Sequence, residues 1–269
     1  MNTKTEIFAL IGNPVEHSLS PVMHNAVFAL MGIDARYIAL RTDSAGEAVN
    51  RIVTSGIRGG SITIPHKVSM MNYLDDISES ARHIGAVNTF VHRDGILKGD
   101  NTDWIGIVRS LKESMTIKSK TIAILGAGGA ARAAVYGIMQ EGGIPIILNR
   151  TEQKGMELAK EFVCTYHPLK HIHDIRADVL INTTPVGMAP AIDAAPVADG
   201  VLKNFTWVMD IIYNPLKTAL LRKAEAAGCC VINGLSMFVH QGAEQIWLWT
   251  GRTPPGDFMK TVVEKALET

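Results

Sequence analysis

Residues 121–151 constrain the fold more than any other stretch of the chain. Thr121-Ile-Ala-Ile-Leu125 is a short apolar run, and Gly126-Ala-Gly128-Gly129-Ala-Ala131 follows it with no spacer, opening a helical stretch from Arg132 to Gln140. A buried strand that turns through glycines into a helix start aims backbone N–H groups and the positive end of a helix dipole at one point, a cradle for pyrophosphate. Gly126 permits the tight turn, Gly128 lets the backbone approach the phosphates, and Ala131 stands where a third small residue lets helix and strand pack closely. The next apolar run, Ile144-Pro-Ile-Ile-Leu148, ends in Asn149-Arg150-Thr151. An acidic residue at that point binds a ribose 2′-hydroxyl, whereas an arginine suits a 2′-phosphate, so Arg150, backed by Lys154, argues for NADP. The alternative is a glycine turn in an α/β protein that binds no nucleotide, with Arg150 on a solvated edge. Strand, glycines, helix, second strand and basic terminus in that order favour the nucleotide site.

A chain of 269 residues lies near the size at which single cores stop growing, and the glycine loop begins near its middle, so two domains are expected. The 26 basic and 26 acidic residues cancel, and no basic run offers a footprint for nucleic acid or an anionic membrane. Ile7-Phe-Ala-Leu-Ile11 is strand-length, too short for a signal-peptide core or a membrane span, and a cytoplasmic protein is expected. Cys164, Cys229 and Cys230 form no disulfide framework. His171-x-His173 lacks further ligands at suitable spacing, so no metal is expected.

Before residue 102 strand-like and helical stretches alternate: Ile7–Ile11, then a helix Pro21–Met31 with Ser20 as N-cap, a strand Arg36–Leu40, a helix Ser44–Ser55, a strand Ser61–Ile64 and a helix Val68–Leu74. That alternation predicts an α/β layer with a largely parallel sheet. Ala86–Val91 and Ile96-Leu97 flank Arg93-Asp-Gly95, a hairpin signal. A helix from Trp104 leads into the nucleotide domain, where Val179–Ile181 and Trp207–Met209 read as further strands and 185–200, rich in Pro and Ala, as a mobile loop. Helical stretches Met237–Trp249 and Asp257–Leu267 follow a completed nucleotide domain and are expected to pack back on the first. The resulting fold class is α/β: a first domain of residues 1–103 with 236–269, and a Rossmann-type doubly wound domain of 104–235.

Two charged positions outside the nucleotide domain attract chemistry. Lys67, in Ser61-Ile-Thr63-Ile-Pro65-His-Lys67, falls at a predicted helix start, where the dipole disfavours a cation and adapts the amine for general acid/base work. A solvent-facing lysine is the alternative. Asp103 opens the next helix, where it either compensates the dipole or stands beside Lys67, orienting the ammonium. Ser18 and Ser20, Thr63, Asn88 and Gln241 are neutral hydrogen-bonders suited to a small polyhydroxylated ligand, and the two serines at a helix start suit a carboxylate. Taken singly, Ser20 reads equally as an N-cap, Asn88 as a strand-end turn and Gln241 as a solvated helix residue.

In order and spacing, His17-Ser-Leu-Ser-Pro21, Ile62-Thr-Ile-Pro-His-Lys67, Ala86-Val-Asn-Thr89, Asn101-Thr-Asp103, Gly126-Ala-Gly-Gly-Ala-Ala-Arg132, Asn149-Arg-Thr151, Asn182-Thr-Thr-Pro-Val-Gly-Met188, Asp210-Ile-Ile-Tyr213-Asn-Pro215, Gly234-Leu-Ser-Met237 and His240-Gln241-Gly242 resemble the shikimate dehydrogenase family nearly end to end. The resemblance implies NADP-dependent, reversible reduction of 3-dehydroshikimate to shikimate, a step in aromatic amino-acid synthesis, by a monomer or homodimer. It implies substrate contacts from Ser18, Ser20, Thr63, Asn88, Asp103, Tyr213 and Gln241, with Lys67 as catalytic acid/base. It implies cofactor contacts from Gly126, Ala127, Gly128, Gly129 and Ala130, from Asn149, Arg150, Thr151 and Lys154, and from Ile211 and Gly234. One departure is Ser61, where the family commonly has Asn. Other readings are a quinate/shikimate dehydrogenase of broader scope, with quinate or NAD, and a non-catalytic NADP-binding regulator on the same scaffold.

Overall fold

The computed structural model of the chain describes residues 5–268, so the ends of the expected domain limits, 1–4 and 269, lie outside the described residues. The chain divides into two compact units: the described residues up to Thr102 together with those from Val239 onward, and Asp103–Phe238.

In the first unit β1 (Glu6–Gly12) leads to α1 (Ser20–Leu30), β2 (Ala35–Arg41), α2 (Ala45–Thr54), β3 (Gly59–Ile62), β4 (Asp76–Ile77), α3 (Glu79–Ile84), β5 (Thr89–Arg93) and β6 (Ile96–Asp100). The sheet runs β2-β1-β3-β5-β6-β4. β1 pairs in parallel with β2 and β3, whereas β5 lies antiparallel to β3 and to β6. The central run of β1 is buried because helices cover both faces of a parallel segment, hence its continuous apolar text. β5 and β6 form the expected hairpin, with Asp94 (φ 52°) and Gly95 (φ 77°) both left-handed as a tight two-residue turn requires.

The second unit contains α4 (Asp103–Lys112), β7 (Thr121–Leu125), α5 (Gly129–Gln140), β8 (Ile144–Asn149), α6 (Glu152–Phe162), β9 (Thr165–Pro168), β10 (Ala177–Asn182), β11 (Phe205–Asp210), α7 (Ala219–Ala226) and β12 (Cys230–Ile232). Its sheet is parallel in the order β12-β11-β10-β7-β8-β9. The strand order reverses at β7 and β10, and in such sheets ligands bind outside the carboxyl ends at that reversal. Ala131, Ala134, Val135 and Ile138 of α5 pack fully buried against Ile122 and Ile124 of β7, so small residues do set the helix–strand distance there.

α8 (Gly234–Thr250) and α9 (Gly256–Leu267) close the chain. From Val239 onward they belong to the first unit. The Trp249 indole donates to the Phe90 carbonyl at 3.2 Å, and its ring lies 5.1 Å from that of Phe8.

Three expectations are corrected. The first α-helix begins at Ser20 with Leu19 as N-cap and no side-chain cap bond, so Ser20 is not the cap. Its backbone N–H instead meets Ser18 Oγ at 3.2 Å. The helix expected at Val68–Leu74 is only a 3-10 turn, Ser69–Tyr73. The Asp75 N–H donates to the Leu97 carbonyl at 2.9 Å and draws the chain into β4, which stops a longer helix. Ala86–Val91 becomes strand only at Thr89, leaving Asn88 just outside. In β3, a Cβ on Gly60 would collide with the Ala9 carbonyl of β1. Gly60→Ala is therefore predicted to lower the unfolding free energy by about 3 kcal/mol, read by urea titration; a wild-type midpoint would show that β1 and β3 are not so tightly apposed.

Candidate functional site

The substrate-type residues of the first unit gather where β1 and β3 end and β5 begins. Asn13 N–H donates to the Ile64 carbonyl (2.9 Å) and Ser18 N–H to the Val15 carbonyl (3.2 Å), which lays the 13–18 loop against the end of β3. Ser18 Oγ donates to Ser20 Oγ at 3.2 Å, so both hydroxyls stand together at the start of α1. Thr63 N–H is held by the Ile11 carbonyl at 2.8 Å. His66 is buried with Nε2 2.9 Å from the Thr42 carbonyl, closing the turn ahead of Lys67.

Asn88 joins these parts. The Val87 N–H donates to the Lys67 carbonyl (2.8 Å), and the Asn88 carbonyl receives Ile62 N–H (2.7 Å). Asn88 Oδ1 accepts from Thr102 N–H at 2.7 Å; its Nδ2 donates to Thr102 Oγ1 at 3.0 Å and makes a longer contact, 3.5 Å, with Gln241 Oε1. Asn88 is 2% exposed and Gln241 9%, so neither is the solvated surface amide that its local sequence also allows. Half-buried Lys67 is likewise no freely solvated lysine, but it precedes a five-residue 3-10 turn, which aligns fewer peptide dipoles than the expected α-helix. Asp103 follows Thr102 directly and is the first residue of α4, which fits dipole compensation; at 4% exposure it is far more buried than that role needs.

The second unit carries the nucleotide-type residues. Gly126 has φ 120°, and a Cβ there would lie 2.7 Å from Thr183 Oγ1, so only glycine makes this turn. Gly128 is the N-cap of α5, and a Cβ on it meets nothing within 4 Å: open space faces the helix start flanked by Ala127, Gly129 and Ala130. Those open backbone donors fit a pyrophosphate. β8 ends at Asn149, whose Nδ2 donates to the Thr151 carbonyl (2.8 Å), and the exposed Arg150, Thr151 and Lys154 follow beside the strand-order reversal. Gly234 N–H donates to the Ile212 carbonyl (3.2 Å), and a Cβ on Gly234 would strike the Ile211 backbone. Tyr213 belongs to this unit, half-buried and stacked on Phe238 at 4.1 Å.

Asp210, Asn182 and Thr218 escaped assignment in the sequence, although two of them stood in quoted motifs; a carboxylate and an amide closing two apolar strands was the available signal. Asp210 accepts from Thr218 Oγ1 (2.7 Å), Asn182 Nδ2 (3.1 Å) and Ile212 N–H (3.1 Å), tying together the chain after β10 and β11. His171 and His173 flank Asp174 on the surface, and among the described residues no group of three or more His, Cys, Asp or Glu is arranged to hold a metal. No helix of the described residues is long and apolar enough to cross a membrane.

Three family profiles match the chain: a shikimate dehydrogenase substrate binding domain over residues 10–90, a shikimate/quinate 5-dehydrogenase over 109–211, and a shikimate 5′-dehydrogenase C-terminal domain over 234–268. A shikimate dehydrogenase (NADP+) of Bacillus cereus is 43% identical over 97% of this chain and 99% of its own. A shikimate dehydrogenase crystallised with NADP+ superposes with a TM-score of 0.91 at 40% identity, over 98% of this chain and 96% of that one. The Thermus thermophilus enzyme in complex with NADP(H) and shikimate gives a TM-score of 0.87 at 36% identity, over 97% and 100%.

Burial pushes the Asp210 carboxyl up to about 6, against the opposing pull of its hydrogen-bond donors, led by Thr218. A carboxyl raised in the folded state holds its proton more tightly there than in the unfolded chain. Its favourable contribution is complete below pH ~4 and is lost as the pH rises through ~6. Relative to Asp210→Asn, the wild type should lose about 2 kcal/mol of unfolding free energy between pH 4.5 and 7.5 in urea titrations. A difference that does not vary with pH would contradict the buried-charge assignment.

Proposed function

The chain belongs to the shikimate dehydrogenase family, and from that premise we infer that it catalyses the reversible, NADP-dependent interconversion of 3-dehydroshikimate and shikimate, with Lys67 and Asp103 as its catalytic pair. The family is carried by relatives matching nearly the whole chain. The residue roles rest on the buried Val87–Asn88 step, where the Val87 N–H holds the Lys67 carbonyl and the Asn88 side chain holds Thr102, the residue before Asp103.

Reduction of a ketone to a secondary alcohol needs a proton for the developing alkoxide, and the reverse reaction needs a base for the hydroxyl. Lys67 supplies and recovers that proton. Asp103, a buried side chain at the start of α4, orients the ammonium and accepts a hydrogen bond from a substrate hydroxyl. Ser18 and Ser20, adjacent at the start of α1, donate to the substrate carboxylate, while Thr63, Asn88, Gln241 and Tyr213 address ring hydroxyls. NADP, when bound, supplies the hydride acceptor in oxidation and NADPH the donor in reduction. The open backbone from Gly126 to Ala130 would hold its pyrophosphate, Arg150 and Lys154 would take its 2′-phosphate with Asn149 and Thr151 beside them, and Ile211 and Gly234 would also contact the cofactor. In this reading the first unit is the substrate domain and the second the NADP domain, the ligands are small molecules, and the enzyme works in the cytoplasm.

Comparing shikimate with quinate, each with NADP and NAD, tests the assignment; absence of NADPH formation from shikimate would refute it, and equal turnover of quinate would favour the broader shikimate/quinate reading. Lys67→Ala should lose roughly 10²- to 10⁴-fold in turnover, the usual worth of a positioned acid/base, and near-normal turnover would remove Lys67 from the mechanism. Arg150→Ala should cost about 1.5 to 3 kcal/mol of NADP preference, measured as the ratio of kcat/KM for NADP and NAD; an unchanged ratio would reassign the 2′-phosphate.

A further inference from the structure

Ser61 is where the substrate-side motif departs from the residue common in the family, and its hydroxyl is committed within the protein. Tyr37 Oη donates to Ser61 Oγ (2.6 Å), Ser61 Oγ donates to Gln245 Oε1 (2.6 Å), and Gln245 Nε2 donates to the Asn88 carbonyl (3.3 Å). All four residues are buried. The chain of bonds has a fixed direction, since the single hydroxyl proton of Ser61 goes to Gln245 and none remains for a ligand.

Both ends of this chain are anchored. The Tyr37 ring stacks on buried His24 at 4.5 Å, and its backbone is clamped by the Asn25 amide through two bonds of 2.8 Å. Gln245 lies one helical turn beyond Gln241 on α8, so the two amides share a face. Small residues bring α8 close: a Cβ on Gly59 would lie 3.0 Å from the Trp249 ring. A side chain as long as asparagine at position 61 would have to displace either Tyr37 or Gln245.

We propose that Tyr37, Ser61 and Gln245 are positioning residues forming a buried strut that sets how Gln241 and Asn88 meet the substrate, so that Ser61 governs shikimate affinity without touching it. The proposal rests on the assignment of Gln241 and Asn88 to the substrate. Without the Ser61 hydroxyl, Gln245 loses the donor that fixes its amide, and the neighbouring turn of α8 is free to rotate Gln241 away from Asn88.

Steady-state kinetics of the full chain with shikimate and NADP, for wild type, Ser61→Ala, Tyr37→Phe and the double variant, test it. Ser61→Ala should raise KM for shikimate about tenfold and Tyr37→Phe about threefold, with KM for NADP unchanged. The double variant should be no worse than Ser61→Ala, because Tyr37 acts through that hydroxyl. Tyr37→Phe keeps the stacked ring and carries the test if Ser61→Ala unfolds. Wild-type KM for shikimate in the folded variants, even with a lowered melting temperature, would make the strut mere packing and overturn the proposal, as would additive effects in the double variant. A wild-type chain that does not oxidise shikimate would instead sink the family-based assignment, and the proposal with it.

Discussion

The buried residue Asn88 is the point on which the ends of the first unit's strands and the approach to α4 depend. Its carbonyl receives Ile62 from β3 and Gln245 from α8, its side chain receives Thr102 ahead of α4, and the preceding residue holds the Lys67 carbonyl. Two consecutive residues, Val87 and Asn88, thus hold the Lys67 carbonyl, the end of β3, Gln245 and the residue ahead of α4. Burial gives them that authority: away from water each unmade bond costs about 1–3 kcal/mol, so the arrangement that satisfies all of them is strongly preferred.

The second unit uses a different device. At Gly126 and Gly128 the chain omits side chains, leaving backbone donors at the start of α5 open, while Ala131 sits fully buried one turn later so that helix and strand close up. Asp210 then places a charge-bearing acceptor under the chain segments that follow β10 and β11, binding Asn182, Thr218 and the Ile212 N–H to one point. Desolvation opposes that charge and pushes the Asp210 carboxyl above the usual carboxylate range. The carboxylate is therefore a source of order in the loops at some expense of stability.

Local chemistry was legible in the sequence wherever a residue type has a local backbone consequence. Gly126 had to take a left-handed turn, Asp94-Gly95 had to make a hairpin, and Arg150 had to follow a strand end. Features that depend on distant partners were not. Tyr37 meets Ser61 across 24 positions and Ser61 meets Gln245 across 184, separations that no local pattern encodes. The apolar residues of Ser69–Tyr73 have helical spacing, which points to a helix, whereas pairing of β4 with β6 pulls the chain straight and leaves a 3-10 turn. Helices α6 and α7 are less legible: α6 buries only Gly155, Leu158 and Ala159 of its eleven residues, and α7 spans only eight residues. The roles of Lys67 and Asp103 came from family resemblance, since locally each also fits a surface charge.

The most direct measurement is kcat/KM for shikimate with NADP in Asn88→Ala, on protein shown by circular dichroism to be folded. If the Asn88 junction positions the catalytic and substrate-binding groups, the value falls by about 10²-fold or more, the scale of losing two such buried bonds. A folded variant that oxidises shikimate with wild-type kcat/KM would contradict the account.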